Sequence, residues 1–174
     1  MSNILITEEI HKYCSDISIG DIDALSKLYD LLSMRVYNYA LTMTKNKQDA
    51  EDITHDVFLQ IIKHSSRLAK IQNPVSYIMV ATRNISYNFC KHNSRKTLPL
   101  DEINDIEAHK SESPLLIESA LFNLPDKMRE IIYLHHICGF TQKEVSKIMN
   151  VPLPTVKWRC RKALLLLKEY LKND

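Results

Sequence analysis

Glycine is almost missing from this chain: only Gly20 and Gly139 occur in 174 residues. All-β folds turn often and turns recruit glycine, so the composition argues against a sandwich or barrel and for a helical protein. The four cysteines, Cys14, Cys90, Cys138 and Cys160, form no CxxC pair. No signal-peptide pattern is recognisable either, and reduced thiols in a cytoplasmic protein are expected. The longest aliphatic run, Ala163 to Leu167, is five residues, far short of a bilayer span, so no membrane insertion is expected. A phosphate-binding glycine loop and a nucleophile motif are also lacking; no catalytic residue and no cofactor is expected, and the chain is not read as an enzyme. What is present, 45% hydrophobic and 25% charged residues, is enough to build one soluble domain or two small ones.

Charge is unevenly placed. Residues 1–96 carry 12 Lys/Arg against 10 Asp/Glu, residues 97–118 one against six, and residues 119–174 ten against five. A basic C-terminal block behind an acidic connector is the pattern of a nucleic-acid-binding module on a tether, although a basic face can equally be a solvated one.

Helical spacing of Leu25, Leu28, Leu32, Val36, Tyr39 and Ala40 predicts a helix over 21–43, capped by Asp21 or Asp23. A second helix over 47–64 opens on Asp49, Glu51 and Asp52, where carboxylates suit the helix dipole, and carries Ala50, Ile53, Val57 and Ile61 with Phe58 alongside. Asn73-Pro74 starts a third, with Ile78, Ala81, Ile85 and Phe89 on its inner side. Residues 97–114 show no periodicity, and a domain boundary is placed there. The fold expected is all-α, two small helical domains over 1–96 and 119–174 joined by a flexible acidic linker over 97–118.

In the second block Leu124-Pro125 opens a helix that Gly139 ends. Thr141-Gln142-Lys143-Glu144 fits a capping box before a short helix burying Val145, Ile148 and Met149. Asn150-Val151-Pro152 then turns into a last helix. Two helices joined by a short turn, the second strongly basic, make a helix-turn-helix. On the last helix Val156, Cys160, Ala163, Leu164, Leu167 and Leu171 share the expected core face. Opposite lie Trp158, Arg161 and Lys162, flanked by Lys157 and Arg159. An indole placed away from the core needs a partner.

These motifs resemble those of one family, the bacterial RNA polymerase sigma factors of the extracytoplasmic-function (ECF) type within the sigma-70 family. Asp49-Ala50-Glu51-Asp52-Ile53-Thr54-His55-Asp56-Val57-Phe58 resembles the family's acidic polymerase-binding helix. Tyr77-Ile78-Met79-Val80-Ala81-Thr82-Arg83-Asn84 resembles its promoter-melting helix. Leu124-Pro125, Arg129, Gly139-Phe140-Thr141, Glu144-Val145 and Thr155-Val156-Lys157-Trp158-Arg159 resemble its C-terminal domain, so that the likeness spans about Asp21 to Leu171. Tyr77 stands where tryptophan is usual, Pro152 replaces a serine, Pro154 a glycine and Trp158 a small residue.

The resemblance implies an alternative sigma factor. Asp49, Asp52, His55 and Asp56 would bind a basic coiled coil on core RNA polymerase, with dipole stabilisation the plainer role of Asp49. Tyr77, Arg83, Asn84, Lys91, Arg95 and Lys96, with the segment 65–73, would melt and hold the −10 element of promoter DNA. Tyr87 and Phe89 are open between this role and packing. Thr155, Lys157, Trp158, Arg159, Arg161 and Lys162 would read the −35 element as duplex. Leu165 and Leu166 would meet the polymerase flap or an inhibitor, or complete the packing. The acidic linker is either a nucleic-acid mimic or a plain tether. An anti-sigma factor held between the domains is the implied regulator.

Two other classes compete. A stand-alone helix-turn-helix regulator would carry a sensing or dimerising N-terminal domain and bind a palindrome as a dimer. A metal protein would use His135, His136 and Cys138, but no fourth ligand follows at a typical spacing, so no metal is expected. A purely helical adaptor leaves the basic pattern unexplained.

Overall fold

A computed structural model of the chain describes the backbone of residues 3–96 and 120–172, and side chains over 6–92 and 120–172. All regular structure among the described residues is helical. The chain divides into two compact units, Met1–Cys90 and Lys91–Asp174.

The first unit is built from α1 (Asn3–Ser18), α2 (Ile22–Thr44), α3 (Lys47–Lys63), the single turn α4 (Ser65–Leu68) and α5 (Pro74–Lys96), which runs on past the unit's end. Asp21 caps α2, its carboxylate accepting from the Asp23 and Ala24 amides at 2.9 and 3.1 Å. Lys45, in the left-handed conformation (φ 57°), closes it. Asn46 then caps α3 by accepting from the Asp49 amide at 3.1 Å. Leu28, Leu32, Val36, Tyr39 and Ala40 are buried as expected, with Ala24 facing inward where Leu25 was expected and Leu25 only half-buried. Ala50, Ile53, Val57, Phe58 and Ile61 complete the facing surface of α3.

Helix α1 was not foreseen. It buries Ile10, Cys14 and Ile17, packs on α2 and α4, and bonds His11 to the Ile71 carbonyl at 2.6 Å. Burial pushes the Cys14 thiol up to about 11, the state of an inert packing cysteine. The inner face of α5 is also rotated from the expected one. Val75, Ile78, Met79, Thr82 and Ser86 are buried, whereas Ala81, Ile85 and Phe89 are half-exposed. Two hydroxyls can be buried here because each donates to a carbonyl one turn back, Thr82 to Ile78 at 2.9 Å and Ser86 to Thr82 at 2.8 Å. An aliphatic count cannot see polar atoms that satisfy themselves.

In the second unit residues 120–123 are helical and are followed by α6 (Asp126–Ile132), a π-helical turn (Tyr133–Ile137), α7 (Gln142–Met149) and α8 (Leu153–Tyr170). Arg129 organises the start of this unit. It is 3% exposed, and its guanidinium donates to the carbonyls of Leu121, Phe122 and Leu124 at 2.9, 3.0 and 2.7 Å. Those carbonyls end the preceding helical turn, where a cation is favoured, and that of Leu121 also accepts from the Leu124 amide at 3.1 Å. Asp126 lies 3.1 Å from the same guanidinium. Gly139 (φ 75°) takes the left-handed turn out of the π segment.

The expected core face of α8 holds only for its first half. Val156, Cys160 and Ala163 are buried, but Leu164 and Leu171 are 45% and 48% exposed and Leu167 is half-buried. At 1.5 Å per residue α8 is about 27 Å long, against roughly 10–12 Å for its partners α6 and α7. Its second half outruns them.

Candidate nucleic-acid interface

The turn between α7 and α8 sets the pose of the basic helix. Thr141 and Glu144 form the expected capping box. The Thr141 hydroxyl accepts from the Glu144 amide at 3.3 Å, and the Glu144 carboxylate from the Thr141 amide at 2.8 Å. Asn150, at φ 52°, ends α7 in the left-handed conformation. Across the turn the Ser146 hydroxyl donates to the Val151 carbonyl at 2.6 Å. Pro152 stands at the cap of α8 without a side-chain hydrogen bond, while its carbonyl accepts from the Thr155 and Val156 amides at 3.0 and 3.1 Å. Pro154 has no amide hydrogen, which removes one of the donors that a cap would have to satisfy.

On α8 the positions 154, 157, 158, 161, 162 and 165 are all exposed, the three-and-four spacing of a single helix face. Trp158 is 57% exposed at its centre. The Lys162 ammonium lies 5.1 Å from the indole centroid, a cation–π contact that holds both side chains along the surface. Thr155 and Arg159 flank this face and are half-buried. Lys157, Trp158, Arg161 and Lys162 thus share the face opposite Val156, Cys160 and Ala163, while Thr155 and Arg159 stand at its edge. Leu165, 59% exposed, continues the face toward the C-terminus.

The other candidate residues lie on α3 and α5, with Lys91, Arg95 and Lys96 past the first unit's end. Asn84 and Lys91 are exposed and Arg83 half-buried, with the Arg83 guanidinium 4.7 Å from the Tyr87 ring centroid. Tyr87, left open by the sequence, is 38% exposed and shares a face with Asn84 and Lys91. Tyr77 is placed differently. It is half-buried in a crevice with Val57, Ile61, Leu68 and Ile78, and Arg67 covers its ring at 5.6 Å. In the segment 65–73, Ser65 and Leu68 are buried. The side chains of Arg95 and Lys96, and the linker 97–118, lie outside the described residues.

On α3, Asp52, His55 and Asp56 are exposed on one face together with Leu59, which is 51% exposed. Asp49 is half-buried in the first turn, where burial and then neighbouring Asp52 push its carboxyl above the usual range. Beside this acidic row runs a groove of about 320 Å³ between α2 and α3, lined by Tyr29, Met34, Tyr37, Glu51, His55 and Phe58 among others. Tyr29 and Phe58 form its floor, their ring centroids 4.6 Å apart. The sequence reading found the carboxylates and missed the groove. The available signal was Tyr29, one position off the core stripe of α2, and Met34, two positions off it, both large and apolar.

Known proteins carry the same arrangement. The family model for Sigma-70 region 2 matches residues 28–96, and that for Sigma-70, region 4 matches residues 120–169. The ECF RNA polymerase sigma factor SigM of Bacillus subtilis (strain 168) is 28% identical over 163 residues, covering 86% of this chain and 98% of that protein. SigW of the same organism, also an ECF RNA polymerase sigma factor, is 23% identical over 187 residues, covering 94% and 97%. Among solved structures, the sigma factor RpoE in complex with the anti-sigma factor NepR from Bartonella quintana superposes with a TM-score of 0.71 at 19% identity, covering 88% and 99% of the two chains. CnrH in complex with the cytosolic domain of CnrY gives 0.67 at 16%, covering 95% and 99%. A sensing or dimerising N-terminal domain is thereby replaced by a region 2 domain, and the stand-alone regulator loses its basis. With both regions present in order, this chain belongs to the sigma-70 family as an ECF sigma factor, an alternative sigma factor for promoter recognition and transcription initiation.

Proposed function

We propose that this sigma factor divides its promoter work between its two units. The first unit seats a basic coiled coil of core RNA polymerase in the groove between α2 and α3, with Asp52, His55 and Asp56 orienting it. Asp49 contributes chiefly to the start of α3. Asn84, Arg83, Tyr87 and Lys91 on α5, continued by Arg95 and Lys96, hold the opened −10 strand. Opening a duplex leaves unstacked bases that aromatic rings receive and positive charge tracks. Tyr77 supports this face by packing beneath it. The second unit places α8 in the major groove at the −35 element, with Thr155 and Trp158 nearest the bases and Lys157, Arg159, Arg161 and Lys162 on phosphates. Its regulator is an anti-sigma factor, the kind of partner with which RpoE was solved.

One observation carries the reading of the second unit: the single exposed face of α8 on which Trp158, Arg161 and Lys162 stand together. The deciding experiment is transcription in a defined system. Purified chain added to core polymerase should start promoter-specific transcripts that core polymerase alone does not make. No transcript from any genomic promoter library of the source cell would reject the proposal.

Within that system the residues of α8 should separate by kind. Lys162→Ala should weaken every −35 sequence alike and reduce the salt slope by about 1. Trp158→Ala should instead relax preference at one position, by roughly 1–3 kcal/mol. Footprinting of the holoenzyme on a set of single-base −35 variants reads both. Identical profiles for the two substitutions would remove Trp158 from the base-reading set.

A further inference from the structure

The folded chain assembles a cluster that linear spacing hides. His135 and His136 are joined not by Cys138 but by Cys160 of α8, and one donor atom from each of the three lies within 4.8 Å of the others. The two imidazoles are adjacent in sequence, yet their ring centroids are only 4.6 Å apart. They sit in the π-helical turn, where the Cys138 amide reaches back five residues to the Tyr133 carbonyl at 2.9 Å. Such single wide turns occur preferentially at functional sites.

The donor atoms are also prepared. His135 Nδ1 donates to the Phe140 carbonyl at 2.6 Å, since a carbonyl can only accept, and this leaves Nε2 with its lone pair. A ligating histidine is oriented in the same way, by its other nitrogen. His136 Nε2 faces the Cys160 sulfur at 3.8 Å.

We propose that His135, His136 and Cys160 form a binding site for one thiophilic d10 cation, zinc(II) in the first instance. Two imidazoles and a thiol suit a borderline-soft ion; magnesium and calcium would need oxygen donors that this trio does not offer. With bonds of about 2.0 Å to nitrogen and 2.3 Å to sulfur, the donors must draw in by roughly 1 Å. Side-chain rotation at the exposed His136 accommodates that. Binding replaces the Cys160 thiol proton with the metal–sulfur bond and releases the proton to solvent. The fourth position stays open on the His136 side. The ion would pin the turn preceding the helix-turn-helix to α8, midway between Arg159 and Arg161. A metal that binds the folded state alone stabilises it by mass action, so the pose of the basic helix becomes metal-dependent. This last consequence rests on α8 being the DNA-reading helix; the site itself does not.

The test uses the reduced, chelator-treated full chain titrated with cobalt(II) as a spectroscopic stand-in. One equivalent should bring up a thiolate-to-cobalt charge-transfer band, and zinc(II) should displace it and raise the unfolding temperature. Cys160→Ser should abolish the band and His136→Gln should weaken or abolish it, with helicity unchanged by circular dichroism, whereas Cys138→Ser should retain it. His136 is exposed, so its variant keeps the test valid if Cys160→Ser folds poorly. Absence of the band in the parent chain, or its survival in Cys160→Ser, would overturn the site. Promoter footprinting with and without zinc(II) is read separately: failure there alone removes the coupling to DNA and leaves the metal site standing.

Discussion

Arg129→Ala should unfold the C-terminal unit while leaving the N-terminal one intact. The guanidinium is buried and donates to three carbonyls; those of Phe122 and Leu124 lose this donor, whereas that of Leu121 keeps the Leu124 amide. Orphaning one buried polar group costs about 1–3 kcal/mol, and breaking a buried charged arrangement about 3–5 kcal/mol. The helical part of this unit, residues 120–172, has a total stability of only about 3–8 kcal/mol by the usual per-residue scale. The loss is therefore comparable with the whole. Burial lowers the Arg129 pKa, and Asp126 partly restores it; the group remains a cation at any working pH. Arg129→Lys should recover only part of the loss, because an ammonium on a flexible stem does not reproduce the planar fork. Chemical denaturation followed by circular dichroism should show one of two transitions lost in the alanine variant. Promoter binding through α8 should vanish with it, and binding to core polymerase should survive. An alanine variant with both transitions at their original midpoints would refute this role for Arg129.

The second large effect is expected at α3. Reversing two charges, Asp52→Lys with Asp56→Lys, should weaken binding to core polymerase by about 100-fold or more, since like charges set against each other across an interface cost several kcal/mol and each 1.4 kcal/mol is tenfold. Both side chains are exposed, so the fold has no reason to change, and unaltered melting of the isolated chain is the control. The defect should shrink as salt is raised, because exposed charges are screened. Met34→Ser, in the adjoining groove, should also weaken binding but with little salt dependence, since it removes apolar contact without changing charge. Polymerase affinity of the charge-reversed chain indistinguishable from that of the parent would dismiss the acidic row as a binding surface. Retained affinity in Met34→Ser would dismiss the groove.

Much of this molecule could be read before its structure was known, for a definite reason. Helices α2, α3 and α7 announce themselves because caps and apolar spacing are local. Asp21, Asn46 and the Thr141–Glu144 pair satisfy amides two or three residues away, and the stripe of α3 is buried as its 3.6-residue period requires. The basic face of α8 was legible for the same reason, as was the bipartite order of motifs that the family comparisons bear out.

Whatever depends on how far one element extends past another was not legible. Leu164 and Leu171 continue an apolar stripe by spacing, but they are exposed because α6 and α7 are too short to cover them. Thr82 and Ser86 are buried because their hydroxyls close on their own helix, which a polarity count treats as a reason for exposure. Arg67 covers the Tyr77 ring beside the crevice along α3, contacts that no local pattern announces. Cys160 reaches the histidines across 24 residues. Local order thus follows from residue type and period, because hydrogen bonds and side-chain stripes repeat within a turn or two. Which stripes find partners, and which distant side chains meet, follows from helix lengths and packing, and those set the exposed face of α8 and the cluster behind it.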